Sequence, residues 1–172
     1  GLVFNYDSGQ FEKNMDIALA MIGYDGFASR QDVSKAAGKL RGIGISNVIE
    51  QAAGGFPEWA EIRFDPSGTV TVIMGTHNHG QGHETVFRQM LADKLGLEFE
   101  QIRYQQGDTT SGMAGTGTFG SRSTSVGGSS LLLAAGKVID KARRMASHQF
   151  ETAEDDLEFS DSAFTAGGHP KH

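Results

Sequence analysis

The amino-acid sequence predicts an α+β fold: a two-layer domain with a small mixed or antiparallel sheet packed by helices, preceded by a short helical segment. Three observations predict it. Apolar residues recur at helical spacing in several separate stretches. Between them, short alternating runs flank strong turn sequences, as in paired strands. Ten of the 24 glycines gather in residues 75–82 and 107–128, where the backbone can approach another molecule closely.

The first 40 residues are predicted to form a helical lead-in segment. Asp7 and Ser8 are good N-cap residues for a helix whose apolar positions run from Phe11 to Ile22. A break at 24–26 separates it from a second, polar helix over 27–39.

An α+β domain is predicted over residues 41–150. It opens with a strand over 43–49, where apolar residues alternate. Residues 59–64 and 69–74 flank the turn Asp65-Pro66-Ser67-Gly68, so they predict an antiparallel hairpin.

The rest of this domain is predicted to alternate helix and strand. A helix over 83–95 ends at Gly96, a strand follows over 100–105, and a long helix covers 124–148. Residues 151–172 read as an acidic linker, a small hairpin over 157–164 and a frayed tail.

Composition excludes several classes of function. The net charge is −6 and no Lys/Arg run occurs, so neither a nucleic-acid partner nor a membrane partner is expected. The absence of cysteine excludes thiolate zinc sites, cysteine nucleophiles and cysteine-ligated iron–sulfur clusters in this chain. We expect a cytoplasmic protein, and we expect the sequence, which begins at Gly1, to be a piece of a longer polypeptide.

The first candidate site is the loop at 75–85. It connects a predicted strand to a predicted helix start, where unpaired backbone N–H groups suit an anion. Gln81 can donate and accept, so it suits a ring edge or an oxo ligand. Spacing alone leaves open a glycine turn that only starts a helix.

The second candidate site is the glycine-rich loop at 112–124, which also runs into a helix start. Ser121, Ser123 and Thr124 supply hydroxyl groups, and Arg122 could donate two hydrogen bonds to a phosphate. Two such loops could converge on one ligand.

The sequence near these loops also contains two patterns that are typical of other binding sites, a dinucleotide fingerprint and a histidine cluster, and we reject both. Gly115, Gly117 and Gly120 match a dinucleotide fingerprint, but the intervening residues 106–114 separate them from the strand end, and Asp140 falls within a predicted helix.

A zinc site at His77, His79 and His83 is also disfavoured. The first two histidines alternate along an extended segment and no cysteine assists. We assign no metal-ligating residue.

Read together, the two loops resemble the cofactor motifs of the molybdenum hydroxylase large subunits, the family of aerobic carbon monoxide dehydrogenase, aldehyde oxidase and xanthine dehydrogenase. The resemblance is carried by Gly80-Gln81-Gly82-His83-Glu84-Thr85 and by Gly115-x-Gly117-Thr118-Phe119-Gly120-Ser121-Arg122-Ser123. Tyr6-Asp7-Ser8-Gly9, Leu40-Arg41-Gly42-Ile43-Gly44 and the 65–70 turn fit as well.

The resemblance implies part of an oxidoreductase that oxidises a small substrate, carbon monoxide, an aldehyde or an N-heterocycle, with water as the oxygen source. It implies molybdenum held by molybdopterin cytosine dinucleotide, and iron–sulfur and flavin subunits as partners. By the same resemblance, the cofactor-binding residues are Gly80, Gln81, Gly82, His83, Gly117, Thr118, Gly120, Ser121, Arg122, Ser123 and Thr124.

No catalytic residue is assigned within this chain. The family's catalytic glutamate and substrate loop lie in later segments, so these 172 residues alone are expected to be inactive. Two other hypotheses stay open: a stand-alone module that binds a phosphate or nucleotide ligand without redox activity, and a scaffold whose glycine loops bind nothing.

Overall fold

A computed structural model describes residues 5–53, 55–111 and 114–166. The chain divides into two compact units, residues 1–49 and 50–172. The finer division into 1–40, 41–150 and 151–172 stays a prediction. Within the described ranges, no helix combines the length and the apolar character needed to cross a membrane.

The first unit contains the two predicted helices, α1 (Phe11–Met21) and α2 (Phe27–Ala36). Arg30 of α2 donates to the carbonyl oxygens of Gly23 and Ile22 at 2.8 and 3.0 Å, which satisfies backbone acceptors at the end of α1.

Two details predicted for this unit are wrong. The N-cap of α1 is Gln10, without a side-chain cap, rather than Asp7 or Ser8. Residues 39–50 form no strand. Ile45 and Val48 are 56% and 77% exposed, and no described strand pairs with this segment. Alternation alone therefore does not make a strand where no partner accepts its backbone hydrogen bonds.

The second unit contains a mixed three-stranded sheet. Its strands are β1 (Ala60–Phe64), β2 (Val70–Met74) and β3 (Ile102–Gln106), in the order β1-β2-β3. β1 and β2 form the predicted antiparallel hairpin, with Ala60 opposite Met74, while β3 runs parallel to β2.

Two helices cover one face of this sheet and complete the two-layer α+β fold predicted from sequence. They are α3 (His83–Leu95), ended by Gly96 at φ +68°, and α4 (Ser129–Phe150). The core consists of Val70, Val72, Met74, Phe87, Leu91, Leu95, Ile102, Leu131 and Ala135. Burying each large apolar side chain contributes about 1.5–3 kcal/mol.

A small hairpin packs against α4, as the sequence predicts for this end of the chain. It consists of β4 (Leu157–Ser160) and β5 (Ala163–Ala166). Arg143 of α4 donates to the carbonyl of Leu157, which is itself buried.

The parallel pairing of β2 and β3 positions the candidate site. Because parallel strands end at the same edge of a sheet, the loops after β2 and β3 leave from one edge. These are the two glycine-rich loops singled out from the sequence.

Candidate functional site

The first loop runs over residues 75–82, from the end of β2 to the start of α3. Gly80 and Gly82 have φ of +112° and +77°, a conformation that favours glycine. Gly82 is the N-cap of α3 and provides no side-chain cap, so the first N–H groups of the helix can bind an anion.

A backbone hydrogen bond within this loop orients Gln81. The backbone N–H of His79 donates to Gln81 Oε1, and that of Gly80 donates to Asn78 Oδ1 at 3.0 Å. The carbonyl half of the Gln81 carboxamide is thereby used, which leaves its NH₂ half to donate to a ligand.

The second loop ends in a π-helical turn, Ser123–Gly128, which continues into α4. Such turns occur often at functional sites. Ser121, just before it, has φ +51°, a strained conformation for a residue other than glycine.

The glycines in the π-helical turn allow a close approach to the first loop and to α3. A Cβ on Gly127 would lie 2.8 Å from Thr76 Cγ2, and one on Gly128 would lie 2.9 Å from Met90 Cε.

Thr118 connects the two loops directly. Its hydroxyl oxygen accepts from the backbone N–H of His77 at 2.8 Å and from the Ser123 hydroxyl at 3.2 Å. Gly75 and Gly115 lie backbone to backbone, since a Cβ on Gly115 would be 2.5 Å from the Gly75 carbonyl oxygen.

The joined loops line one cavity of about 540 Å³. It is lined by His79, Gln81, His83, Val86, Thr118, Phe119, Gly120, Ser121, Arg122, Ser123 and Thr124. Gln81 from the first loop and Ser123 from the second line this same cavity, as a site shared by the two loops requires. Gly80, Gly82 and Gly117 belong to the loops without lining it. The assignment of the predicted residues as cofactor contacts, whether or not they line the cavity, stays a prediction.

The structure adds a residue that sequence reasoning missed, Glu58. Its carboxylate is fully buried against the Arg122 guanidinium, with Oε2 2.5 Å from Nη1. Backbone N–H groups of Trp59 and Thr116 donate to Oε1 at 3.1 and 3.0 Å, and that of Gly117 donates to Oε2 at 3.0 Å. No local motif marks Glu58, because its partner lies 64 positions along the chain.

Arg122 occupies a different place from the one that its sequence context suggested. Its side chain is 0% exposed, and its terminal nitrogens donate to Glu58 and to the carbonyls of Gly117, Phe56 and Pro57. These nitrogens are therefore committed to protein acceptors instead of being presented to a phosphate. Arg122 borders the cavity as part of its wall.

Burial and hydrogen bonding set the charges at the site. Burial alone raises the pKa of Glu58, but donors from Thr116, Arg122, Trp59 and Gly117 outweigh it and lower that pKa below its usual value. The Glu58 carboxylate is therefore ionised and balances Arg122.

His83 is held in its neutral form. Burial, followed by the nearby imidazoles of His79 and His77, lowers the pKa of His83. Its Nδ1 is buried without a hydrogen-bond partner in the described structure.

The cavity thus offers neutral donors rather than a free cationic side chain: a carboxamide, hydroxyl groups, an imidazole and two helix starts. This donor set suits an extended ligand with phosphate groups and a polar ring system. Among residues 5–53, 55–111 and 114–166, no three His, Asp or Glu side chains group as a metal site.

Comparison with known proteins gives a consistent result. A family model described as a molybdopterin cofactor-binding domain matches residues 17–171. The carbon monoxide dehydrogenase large chain of Hydrogenophaga pseudoflava is 35% identical over 179 residues, covering 96% of this chain and 22% of that protein. The nicotine 6-hydroxylase large subunit of Paenarthrobacter nicotinovorans is 35% identical, covering 91% of this chain and 21% of that protein.

A solved structure agrees with these sequence matches. The reconstituted carbon monoxide dehydrogenase from Oligotropha carboxidovorans superposes with a TM-score of 0.67 at 36% identity, over 96% of this chain and 23% of that one. The chain therefore spans about a fifth of the length of the relatives that it matches.

Proposed function

This chain belongs to the molybdopterin cofactor-binding domain family, and we propose from that premise that it forms part of the cofactor site of a bacterial molybdenum hydroxylase large subunit. The observation that supports the proposal best is the shared cavity: Gln81 from the first loop and Ser123 from the second line it together, each at the start of a helical segment.

The residues present fit a dinucleotide form of molybdopterin. The start of α3 has no side-chain cap, His83 Nδ1 has no partner, and the NH₂ group of Gln81 is left to donate. The N–H groups at the start of α3 and the Gln81 NH₂ group match the oxygen and nitrogen acceptors of a pterin and a pyrophosphate, and His83 Nδ1 is a further ring nitrogen without a partner. We propose the cytosine dinucleotide form with molybdenum.

Each part of the cavity has a distinct task in this proposal. Gln81 and the first N–H groups of α3 bind the pterin and pyrophosphate. Ser121 and Thr124 donate hydroxyl hydrogen bonds to phosphate oxygens, and Ser123, whose hydroxyl proton goes to Thr118, lines the same wall of the cavity. Thr118 keeps the two loops at a fixed separation, and Arg122 acts through the loop it holds.

When bound, the cofactor supplies the molybdenum at which a substrate is oxidised, with water as the oxygen source. We propose a small substrate, namely carbon monoxide, an aldehyde or an N-heterocycle, and electron transfer to iron–sulfur and flavin subunits in the cytoplasm. The catalytic base and the substrate loop are proposed to lie outside these 172 residues, which alone would not catalyse.

Gln81→Ala in the full-length protein that carries this sequence tests the proposal. Losing the Gln81 donor should weaken cofactor binding about 10–100-fold, the range expected when a ligand's charged group loses one hydrogen bond. Molybdenum and released cytidine nucleotide per polypeptide should both fall.

The matched control is Gln89→Ala, which removes an exposed glutamine from α3, the helix that follows the first loop. Unchanged molybdenum and nucleotide in Gln81→Ala would count against the proposed site. Nucleotide without molybdenum in the wild-type protein would indicate instead a nucleotide-binding module without redox activity.

A further inference from the structure

We infer that Glu58 is a positioning residue, whose carboxylate, paired with Arg122, sets the conformation of the loop that forms one wall of the cavity. The identity of the ligand rests on the proposed function. The role of Glu58 in shaping the loop rests on the geometry of the described residues.

The position requires a carboxylate. Oε1 faces two donors, the N–H groups of Trp59 and Thr116, and Oε2 faces two more, the N–H of Gly117 and Arg122 Nη1. A glutamine would place an NH₂ group against a pair of donors in either orientation of its amide. Only two acceptor oxygens satisfy all four.

The pair holds the Gly117 residue from both sides. Its N–H donates to Glu58 Oε2 at 3.0 Å, and its carbonyl accepts from Arg122 Nη1 at 2.5 Å. Gly117 has φ +104°, so these bonds fix a backbone conformation that few residues adopt.

Fixing Gly117 also fixes Thr118, the next residue. The Thr118 hydroxyl joins the backbone of His77 to the side chain of Ser123, and both Thr118 and Ser123 line the cavity. Glu58 itself is anchored at a second point, because Ser130 of α4 donates to its carbonyl oxygen at 2.8 Å. Glu58 therefore acts on a ligand only through the loop.

The test compares three variants of the full-length, cofactor-loaded protein. Glu58→Gln removes the charge and one acceptor. Leu91→Ala leaves a hole in the core and serves as a control of comparable destabilisation away from the cavity wall. Glu58→Gln combined with Arg122→Met removes the unpaired cation that the first variant leaves buried.

The main measurement is the rate at which cytidine nucleotide is released, at a temperature well below all unfolding midpoints. Glu58→Gln should release it about 10–100-fold faster, as is typical when a group that orients a ligand-binding residue is lost. Leu91→Ala should stay near the wild-type rate. The double variant should recover the wild-type thermal midpoint, but it should still release the nucleotide as fast as Glu58→Gln does.

A purely structural role makes opposite predictions. Release would then follow the unfolding midpoint, so that Leu91→Ala would match Glu58→Gln and the double variant would recover both properties. Either result would overturn the inference.

Amide hydrogen exchange separates this inference from the proposed function. In Glu58→Gln, the peptide over 114–122 should exchange faster without a global rise, whether or not a cofactor is bound. If the wild-type protein contained neither molybdenum nor nucleotide, the proposed function would be refuted, and hydrogen exchange would still test the role of Glu58. Unchanged exchange of the 114–122 peptide in Glu58→Gln would refute the inference.

Discussion

Replacing Gly115 with alanine tests whether the close contact of the two loops holds the site together. Gly115 does not have a left-handed φ, so alanine can adopt its backbone conformation. The effect of the substitution on stability therefore depends on whether the added methyl group has room. The new Cβ would lie 2.5 Å from the Gly75 carbonyl oxygen and 2.7 Å from Gly75 Cα. Both are backbone atoms, which cannot rotate away.

The cost follows from the distance that the loops must move. Ordinary contact begins at 3.4 Å, so the gap between Gly75 and Gly115 must open by about 0.9 Å. The same movement would break the 2.8 Å bond between His77 N–H and Thr118. Overpacking and one lost hydrogen bond, less the lower chain entropy of alanine in the unfolded state, give a loss of about 2–3 kcal/mol.

Urea unfolding of the 172-residue chain measures this loss. Its single tryptophan, Trp59, reports on the site because its carbonyl accepts from the N–H of Gly75 at 3.0 Å. Gly55→Ala is the control, since nothing lies within 4 Å of the added methyl group and its φ is ordinary. Equal stability of the Gly115 and Gly55 variants would refute the argument from loop contact.

The remaining predictions concern pH and activity. Because burial lowers the pKa of His83 in the folded state, His83 contributes stability above the ordinary pKa of 6.5, and that stability is lost as pH falls through the lowered value. His83→Gln should therefore flatten the fall of the thermal midpoint as the pH drops below the ordinary value of 6.5. A pH profile identical to that of the unsubstituted protein would contradict this. The isolated 172-residue chain, supplied with cofactor, should show no hydroxylase turnover, and measurable oxidation of an aldehyde or N-heterocycle by it would disprove that expectation.

Most secondary structure in the second unit could be predicted from local pattern. The stripe of apolar residues over 83–95 and the glycine after it gave the bounds of α3, because helix period and termination are local properties. The hairpin of β1 and β2 followed from its turn, in which the N–H of Ser67 donates to Asp65 at 2.9 Å.

Local pattern failed where an outcome depended on a distant partner. The alternating residues 43–49 have the composition of a strand, yet no described strand lies beside them. Arg122 follows a glycine-rich loop as a phosphate-binding arginine does, yet its guanidinium forms a buried ion pair with the carboxylate of Glu58, from another part of the chain. In both cases the outcome depended on whether a distant segment supplied a partner, and the local pattern carries no information about that.

The sequence by itself determined most of the elements, the two glycine-rich loops and, through their motifs, the family, because each of these is written in neighbouring residues. The tertiary structure alone decided that the loops share one cavity, because this needs β2 and β3 to run parallel and end at one edge. It also decided that Glu58 and Arg122 meet, because a buried charge takes its partner from whatever the fold brings near.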